Sequence, residues 1–203
     1  VGFAWSGRPK AWRPLLFSFD LTTLLPALLA VPAHRAAAIA RHASEFAAGR
    51  SVALLTHINS DGDGCGSEVA LALLLAQRGM KVRIVNPTPW PEMFNFLLGD
   101  VDERSAEGPA ALAGVDLVVV LDINDLKRLG PLGDAVRKAP AHRLVIDHHV
   151  PQADPAGEIV VPDPTACPTG EPIFDIARRP HPRTPAPSPP PPRFRTLPPP
   201  RVS

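Results

Sequence analysis

One short segment of the chain concentrates side chains that can bind divalent metal ions. His57, Asp61 and Asp63 supply one imidazole and two carboxylates within seven residues. Imidazole and carboxylate donors together form a hard ligand set that suits Mn²⁺ or Mg²⁺. Glycines at the alternate positions 62, 64 and 66 allow a tight loop that approaches a bound group closely. The segment is therefore a candidate metal-binding loop.

Three common loop types do not match this segment. A calcium EF-hand loop beginning at Asn59 would need a bidentate Glu at its twelfth position, where Ala70 stands. The glycine spacing differs from the Rossmann dinucleotide-binding fingerprint, and the Gly-Lys-Ser/Thr of a P-loop is missing. Taken alone, the segment is equally well explained as a solvated Gly/Asp turn.

Carboxylate and imidazole side chains recur directly after three later apolar runs. Asp122 closes the first run, Asp147-His148-His149 closes the second, and Asp163 follows the third. Each group also has an ordinary structural explanation. Asp122 and Asp125 are good helix caps, and either histidine could be a hydrogen-bonded surface residue. Four such groups at four strand ends are hard to explain in that way, so we interpret them as one site.

The elements that must position these groups alternate along the chain. Runs such as residues 117–121 are apolar on both faces, which is typical of strands buried between two helix layers. The pattern predicts an α/β fold with a doubly wound, mainly parallel five-stranded sheet flanked by helices, whose ligands lie beyond the carboxyl ends of the strands. The strands are predicted at 51–56, 81–86, 116–122, 143–147 and 158–161, and the helices at 34–49, 66–78, 91–98, 125–138 and 170–178.

These motifs resemble those of the DHH phosphoesterase superfamily, which includes RecJ-type exonucleases, family II inorganic pyrophosphatases and the small oligoribonuclease/pAp phosphatases called nanoRNases. The resemblance covers about residues 50–176. The first motif, with Asn59 and Asp61-Gly62-Asp63-x-x-Gly66-Ser67, and the fourth, Asp163-x-x-Ala166-x-x-Thr169-Gly170-Glu171, are most similar to the nanoRNase branch. Ser60 departs from the family, which usually has Pro there, and this concerns the stiffness of the loop rather than a ligand.

The resemblance implies a two-metal site. His57 and Asp61 would hold the first ion, and Asp63, His148 and Asp163 would hold the second, with Asp122 bridging the two. The ions would be Mn²⁺, with Mg²⁺ as the alternative. A water activated by both ions would then attack the phosphorus, so that no protein nucleophile is needed.

The resemblance also implies residues that meet the substrate. His149 would donate to the scissile phosphate, and Arg128 would bind a second phosphate or a base, although an exposed arginine on a helix face explains Arg128 equally well. Ser67, at the start of the predicted helix, would lie where the helix amide groups attract an anion. Cys65 and Cys167 lie in the first and fourth motifs, and we interpret both as small buried residues.

The implied reaction is hydrolysis of short RNA oligonucleotides from one end, together with removal of the 3′-phosphate of pAp. A cyclic dinucleotide phosphodiesterase is the alternative within the same chemistry. A catalytically impaired module that binds metal or nucleotide is the alternative from another class. We further expect the protein to be cytoplasmic, to have no membrane partner and to form a homodimer.

Composition divides the chain into three parts. Residues 178–203 carry six arginines and no acidic residue, although the formal net charge of the whole chain is only +1. Residues 1–177 therefore hold 15 basic and 20 acidic side chains, which disfavours a large nonspecific DNA-binding surface. With only two cysteines, a disulfide scaffold is not expected, which favours a reducing setting. The predicted parts are an extension at 1–33, helical or poorly structured, a catalytic domain at 34–177, and a tail at 178–203.

The predicted tail is proline-rich. It holds 11 of the 27 prolines between Pro180 and Pro200, a composition that favours extended polyproline over helix or sheet. The smaller substrate-binding domain of the family, with its Gly-Gly-Gly-His motif, has no counterpart here. We interpret the tail as an out-of-frame translation, and the alternative is a genuine linker that binds an SH3-like partner or RNA.

Overall fold

The computed structural model describes residues 30–150, 154–161 and 168–179. The chain divides into two compact units, residues 1–32 and 33–203, and the fold reported below belongs to the second unit. The predictions on Asp163, on Cys167, on the extension before residue 30 and on the tail after residue 179 lie outside the described residues.

Six parallel strands form the central sheet. They lie in the order β3-β2-β1-β4-β5-β6, and in register Val52 pairs with both Val82 and Leu117. The strands are β1 (Ser51–Leu55), β2 (Lys81–Ile84), β3 (Asp102–Glu103), β4 (Leu117–Leu121), β5 (His142–Ile146) and β6 (Glu158–Ile159). The prediction of an α/β fold with a parallel sheet is confirmed. The sheet has one strand more than predicted, because β3 is a two-residue polar strand without an apolar run to reveal it.

Helices surround the sheet. They are α1 (Ala33–Arg41), α2 (Gly62–Gln77), α3 (Asn95–Leu98), α4 (Gly133–Lys138) and α5 (Gly170–Ala177), and 3₁₀ segments cover Ala43–Phe46, Glu92–Phe94, Ser105–Leu112 and Leu126–Leu132. The helix predicted at 125–138 is interrupted, because Gly130 takes a φ of 49° and Pro131 follows it. Among the described residues, no helix has both the length and the apolar character that crossing a bilayer requires.

Helix α2 begins four residues earlier than predicted. The carboxylate of Asp61 caps it by accepting hydrogen bonds from the backbone N–H groups of Asp63 (3.0 Å) and Gly64 (3.1 Å). These two amides would otherwise lack partners at the helix start. The glycine-rich segment is therefore the first turn of a helix rather than a loop.

The sheet has a buried core on both faces. Val52 and Leu54 of β1 face one core, and Ala53 and Leu55 face the other. Helices α1, α2 and α5 contribute to the first core, and α4 with the neighbouring 3₁₀ segments contributes to the second. Burying each valine or leucine side chain stabilises the fold by roughly 1.5–3 kcal/mol. This two-sided burial is the doubly wound arrangement.

The strand order reverses between β1 and β4, which lie next to each other in the middle of the sheet. In open parallel sheets this switch point opens a crevice beyond the carboxyl ends of the two strands. His57 follows β1 and Asp122 follows β4. The fold therefore brings these two side chains to the crevice.

Candidate metal centre

His57 is oriented by its own backbone neighbourhood. Its Nδ1 atom lies 2.9 Å from the carbonyl oxygen of Ile58. A carbonyl only accepts, so Nδ1 carries the proton and Nε2 keeps its lone pair. The N–H of Ile58 in turn donates to the carbonyl of Arg128 at 3.1 Å. The buried Ser60 hydroxyl donates to the carbonyl of His57 at 3.2 Å, so the residue that departs from the family motif holds the loop in place.

Asp122 lies between two imidazoles. Its Oδ2 atom is 3.6 Å from Nε2 of His57, and its Oδ1 atom is 3.5 Å from Nε2 of His148. Its backbone has a φ of 61°, a left-handed conformation that Asp and Asn adopt more readily than most residues. Strained backbone of this kind concentrates at functional sites, where the surrounding structure holds it.

Burial raises the pKa of Asp122 above its ordinary value of 3.8. The hydrogen bond from Thr169 opposes this effect and lowers the pKa, whereas the negative charges of Asp63 and Asp61 raise it further. A cation at this position would reverse the balance, because it favours the ionised carboxylate.

Two groups of side chains have the donor atoms for a metal ion. In each group, one donor atom per residue lies within 4.8 Å of all the others. The groups are His57, Asp61 and Asp122 on one side, and Asp122, Asp147, His148 and His149 on the other. Asp122 belongs to both groups, and the donor set of imidazole nitrogen and carboxylate oxygen fits a divalent ion such as Mn²⁺.

The structure places Asp63 in the first turn of α2, next to the residue before α5. Its Oδ2 atom accepts a hydrogen bond from the N–H of Thr169 at 2.9 Å. Its Oδ1 atom lies 3.5 Å from the hydroxyl of Ser67, which is buried. Within the described ranges, Asp63 joins neither of the two groups of metal-binding side chains.

His149 is held by a buried carboxylate. Its Nδ1 atom lies 2.7 Å from Oδ1 of Asp147, and the amide of Asn124 donates to Oδ2 of the same carboxylate at 2.6 Å. The Asp147 side chain is 1% exposed, whereas that of His149 is 48% exposed. Asp147 and Asn124 thus fix the ring of His149 at the surface of the site. The sequence motifs contain Asp147 without a role for it, and Asn124 lies two residues after Asp122.

A cavity of about 230 Å³ adjoins the centre. It is lined by Ile123, Asn124, Asp125, Arg128, Asp147 and His149. The cavity therefore brings together Arg128 and His149, two of the three residues expected to meet the substrate, whereas Ser67 does not line it. Asp125 caps the 3₁₀ segment beside it by accepting from the N–H of Lys127 at 2.9 Å.

A buried polar network supports the end of β1. The side-chain oxygen of Asn86 accepts from the N–H of Thr56 at 3.0 Å, and its amide donates to Oε2 of Glu68 at 2.9 Å. Glu68 is fully buried, which raises its pKa well above the ordinary value, and the charge of Glu103 raises it further. Thr56 directly precedes His57, so this network fixes the backbone from which the imidazole extends.

Close packing also holds α2 against β1. A Cβ atom on Gly64 would lie 2.8 Å from Oγ1 of Thr56 and 3.1 Å from its Cγ2, so only glycine fits there without a shift. The adjacent Cys65 is fully buried, and burial raises its pKa to about 12. The thiol is therefore inert at neutral pH, as the sequence indicates for a small buried residue.

Thr169 is another residue of the site that has no role in the sequence motifs. It is fully buried and contacts both Asp63 and Asp122. Its place between a proline and a glycine just before an amphipathic segment signals only a helix start. Its contacts with Asp63 and Asp122 join residues 106 and 47 positions apart in the sequence, and no local pattern indicates them.

Comparison with known sequences identifies related proteins. A family model described as "DHH family, N-terminal domain" matches residues 51–189, which is more than half of the chain. The bifunctional oligoribonuclease and PAP phosphatase NrnA of Bacillus subtilis is 29% identical over 128 residues, which are 62% of this chain and 37% of that protein.

Two solved structures match this chain. An exopolyphosphatase-related protein from Bacteroides fragilis superposes with a TM-score of 0.61 and 25% identity, over 69% of this chain and 42% of that one. The exonuclease RecJ bound to manganese matches with a TM-score of 0.46 and 20% identity, over 73% of this chain and 37% of its own. The chain thus spans less than half the length of each of these relatives.

Proposed function

Because the chain belongs to the DHH family, we propose that it is a metal-dependent phosphoesterase acting on short RNA oligonucleotides and on the 3′-phosphate of pAp. The observation that carries this proposal is the position of Asp122, whose two carboxylate oxygens face the imidazoles of His57 and His148. The substrates are proposed from the similarity to the Bacillus subtilis relative, an oligoribonuclease and PAP phosphatase.

A pair of divalent ions is proposed, and the two groups of donor side chains that share Asp122 support it. In the proposed assignment, His57 and Asp61 hold one ion and Asp122 is shared, and Asp63, His148 and Asp163 are the proposed ligands of the other. Mn²⁺ suits the mixed imidazole and carboxylate set, with Mg²⁺ as the alternative. Such ions supply activation of a water and neutralisation of charge on the reacting phosphate.

His149 is proposed to donate to the scissile phosphate. Since Nδ1 is paired with the Asp147 carboxylate at 2.7 Å, Nε2 is the ring atom left to meet a substrate oxygen. The carboxylate partner orients the ring. Asn124 holds that carboxylate from the other side.

The cavity beside His149 is proposed to hold the rest of the nucleotide. The guanidinium of Arg128 is suited to a second phosphate or to a base edge, since its planar donors pair with either. Asn124 and Asp125 add an amide and a carboxylate to the lining. This arrangement supports a nucleotide substrate over inorganic pyrophosphate, which has no base or sugar to fill the cavity.

Hydrolysis of defined substrates tests the proposal. The purified chain with Mn²⁺ is incubated with 5′-labelled di- to pentaribonucleotides and, separately, with pAp, and the release of mononucleotides or phosphate is followed. We expect manganese-dependent release from the wild type and at least a hundredfold slower release from Asp122→Asn. Asn is chosen because it tolerates the left-handed backbone of this position.

Asp116→Asn is the matched control. Asp116 directly precedes β4, whereas Asp122 directly follows it, so the two residues lie about 20 Å apart at opposite ends of the strand. Asp116 is exposed. The control variant should hydrolyse both substrates at the wild-type rate. Manganese-dependent hydrolysis that survives Asp122→Asn would contradict the metal centre. Manganese binding without turnover by the wild type would instead favour an impaired binding module, because the chain spans only part of its relatives.

A further inference from the structure

One residue links two acidic side chains that belong to different elements of the fold. The N–H of Thr169 donates to Oδ2 of Asp63, and its hydroxyl donates to Oδ1 of Asp122, both at 2.9 Å. Asp63 belongs to the first turn of α2, and Asp122 follows β4. Thr169 itself directly precedes α5, so three separate elements meet at this single side chain.

The contact with Asp122 determines which way its carboxylate faces. Rotation about the bond to the carboxylate would exchange or tilt the two oxygens. The hydroxyl of Thr169 selects Oδ1, which also lies 3.5 Å from Nε2 of His148. Oδ2 is then left on the side of His57, at 3.6 Å. With this hydrogen bond in place, the plane of the carboxylate presents one oxygen to each imidazole.

Thr169 is itself held firmly. It is fully buried, and α5 behind it is fixed by the buried Arg35 of α1, whose guanidinium lies 3.2 Å from Oδ2 of Asp175 and also pairs with Glu171. At the other end of α5, Arg78 donates to the carbonyl of Ile176 at 2.9 Å. A hydrogen-bond donor held in this way is suited to orient a metal ligand.

We propose that Thr169 is a positioning residue that orients Asp122 between the two metal sites and restrains Asp63 beside them. This role rests on the proposed metal centre and deepens it. Thr169 touches neither the substrate nor the reacting atoms, so it acts through the carboxylates. Partners of this kind, one step behind the ligands, change metal affinity by about 10–100-fold when they are removed.

Two substitutions separate the hydroxyl from the volume of the side chain. Thr169→Val keeps the branched shape and removes the donor, whereas Thr169→Ser keeps the donor and removes a methyl group. Both keep the backbone N–H that binds Asp63. Mn²⁺ affinity is measured by titration calorimetry and by the loss of the free-ion signal in electron paramagnetic resonance. Unfolding in EDTA, followed by circular dichroism, shows that each variant is folded.

We expect Thr169→Val to weaken Mn²⁺ binding by about tenfold or more and Thr169→Ser to stay within about threefold of the wild type. The Mn²⁺ concentration that gives half the maximal hydrolysis rate should rise in parallel for Thr169→Val, with a smaller change in the rate at saturating metal. Rescue by serine is the result that packing alone would not produce.

Three outcomes overturn the inference. Equal Mn²⁺ affinity in the valine variant and the wild type would show that the hydroxyl does not orient Asp122. Equal weakening in the serine and valine variants would show that the methyl group matters and the donor does not. A wild-type chain that binds Mn²⁺ without hydrolysing any substrate contradicts the proposed activity but leaves this test intact, whereas a wild type that binds no Mn²⁺ overturns both.

Discussion

The Nε2 atom of His57 lies 3.6 Å from Oδ2 of Asp122 across the ends of two neighbouring strands. The contact depends on the strand order, because β1 and β4 are adjacent in the sheet although His57 and Asp122 are 65 residues apart in the sequence. An imidazole lone pair and a carboxylate oxygen at this distance leave little room for water between them. The pair is therefore suited to share a cation.

Asp122→Asn should stabilise the metal-free protein. Burial and the neighbouring carboxylates raise the pKa of Asp122 above 3.8, so its ionised form is disfavoured in the folded state. The stability that the wild type has below pH 3.8 is therefore lost as the pH rises through the folded-state pKa. In EDTA at pH 7, we expect a higher thermal unfolding midpoint for Asp122→Asn than for the wild type.

Added Mn²⁺ should make the wild type more stable than Asp122→Asn. An ion that binds only the folded state stabilises it by about 2.7 kcal/mol at a hundred times its dissociation constant. The midpoint of the wild type and of Asp116→Asn should rise on adding Mn²⁺, and that of Asp122→Asn should hardly change. A metal-dependent rise of equal size in all three proteins would count against Asp122 as a shared ligand.

Asp147→Asn should impair hydrolysis more than metal binding. Both oxygens of Asp147 are engaged, one by His149 and one by Asn124, so we expect the residue to orient the ring of His149. In the variant, the NH₂ group of the new amide would face either the ring of His149 or the amide of Asn124. Each of these partners already presents a proton, so one hydrogen bond would be lost. We expect kcat/KM to fall by about 10–100-fold, with Mn²⁺ affinity within about threefold of the wild type.

Calorimetry and steady-state kinetics on the same preparation give both quantities for Asp147→Asn. Glu92→Gln, which removes an exposed carboxylate from a 3₁₀ turn, serves as the control and should change neither. A loss of Mn²⁺ affinity as large as the loss in kcat/KM would instead make Asp147 a direct ligand.

Two glycines of α2 should respond to alanine in opposite directions. A Cβ on Gly64 would lie 2.8 Å from Oγ1 of Thr56, whereas nothing lies within 4 Å of a Cβ on Gly66. Gly64→Ala should cost about 1–3 kcal/mol of unfolding free energy through overpacking. Gly66→Ala should gain about 0.5–1 kcal/mol, because alanine loses less backbone entropy in a helix. Urea unfolding of both variants measures the difference, and equal effects would contradict the close approach.

Much of the fold follows from local patterns in the sequence. The run Leu117–Leu121 is apolar on both faces and could only be a strand covered by two layers, and it is buried along its whole length. A polar residue directly after such a strand must lie at the edge of the sheet, which places Asp122. The parallel arrangement then brings the residues after β1 and β5 to the same edge.

Other features depend on contacts that a sequence pattern does not contain. Strand β3 consists of Asp102 and Glu103 and exists only because β2 offers it a free edge. Helix α2 starts at Gly62, earlier than predicted, because the side chain of Asp61 caps it. The glycines at its start are typical of a loop and conceal this. Thr169 contacts Asp63 and Asp122 because α5 and α2 pack in the same core on one face of the sheet.

Arg35→Met should destabilise the fold strongly. Arg35 is buried and pairs with Glu171 and with the equally buried Asp175. Removing one partner of a buried ion pair leaves an uncompensated charge and costs about 3–5 kcal/mol. Arg137→Met provides the comparison, because Arg137 pairs with Asp154 on the surface, where both side chains are about half exposed, and its loss should matter little. Denaturant unfolding of both variants tests this, and similar losses would contradict a buried anchor for α5.

Glu68→Gln should change how stability depends on pH. Burial raises the pKa of Glu68 well above its ordinary value of 4.5, and the charge of Glu103 adds to the shift. A raised pKa means that the folded state binds the proton more tightly than the unfolded chain does. The stability that Glu68 contributes is thus complete below pH 4.5 and is lost as the pH rises toward the folded-state value.

Glutamine cannot ionise and still offers the amide of Asn86 an oxygen. The unfolding constant of the wild type relative to Glu68→Gln should therefore be nearly constant below pH 4.5 and then increase by up to tenfold per pH unit. Urea unfolding of both proteins in EDTA between pH 4 and 8 gives this ratio, with Glu92→Gln as the exposed counterpart. Parallel pH profiles for the wild type and Glu68→Gln would mean that Glu68 is already ionised in the folded protein, and the network behind His57 would then have to hold a buried charge.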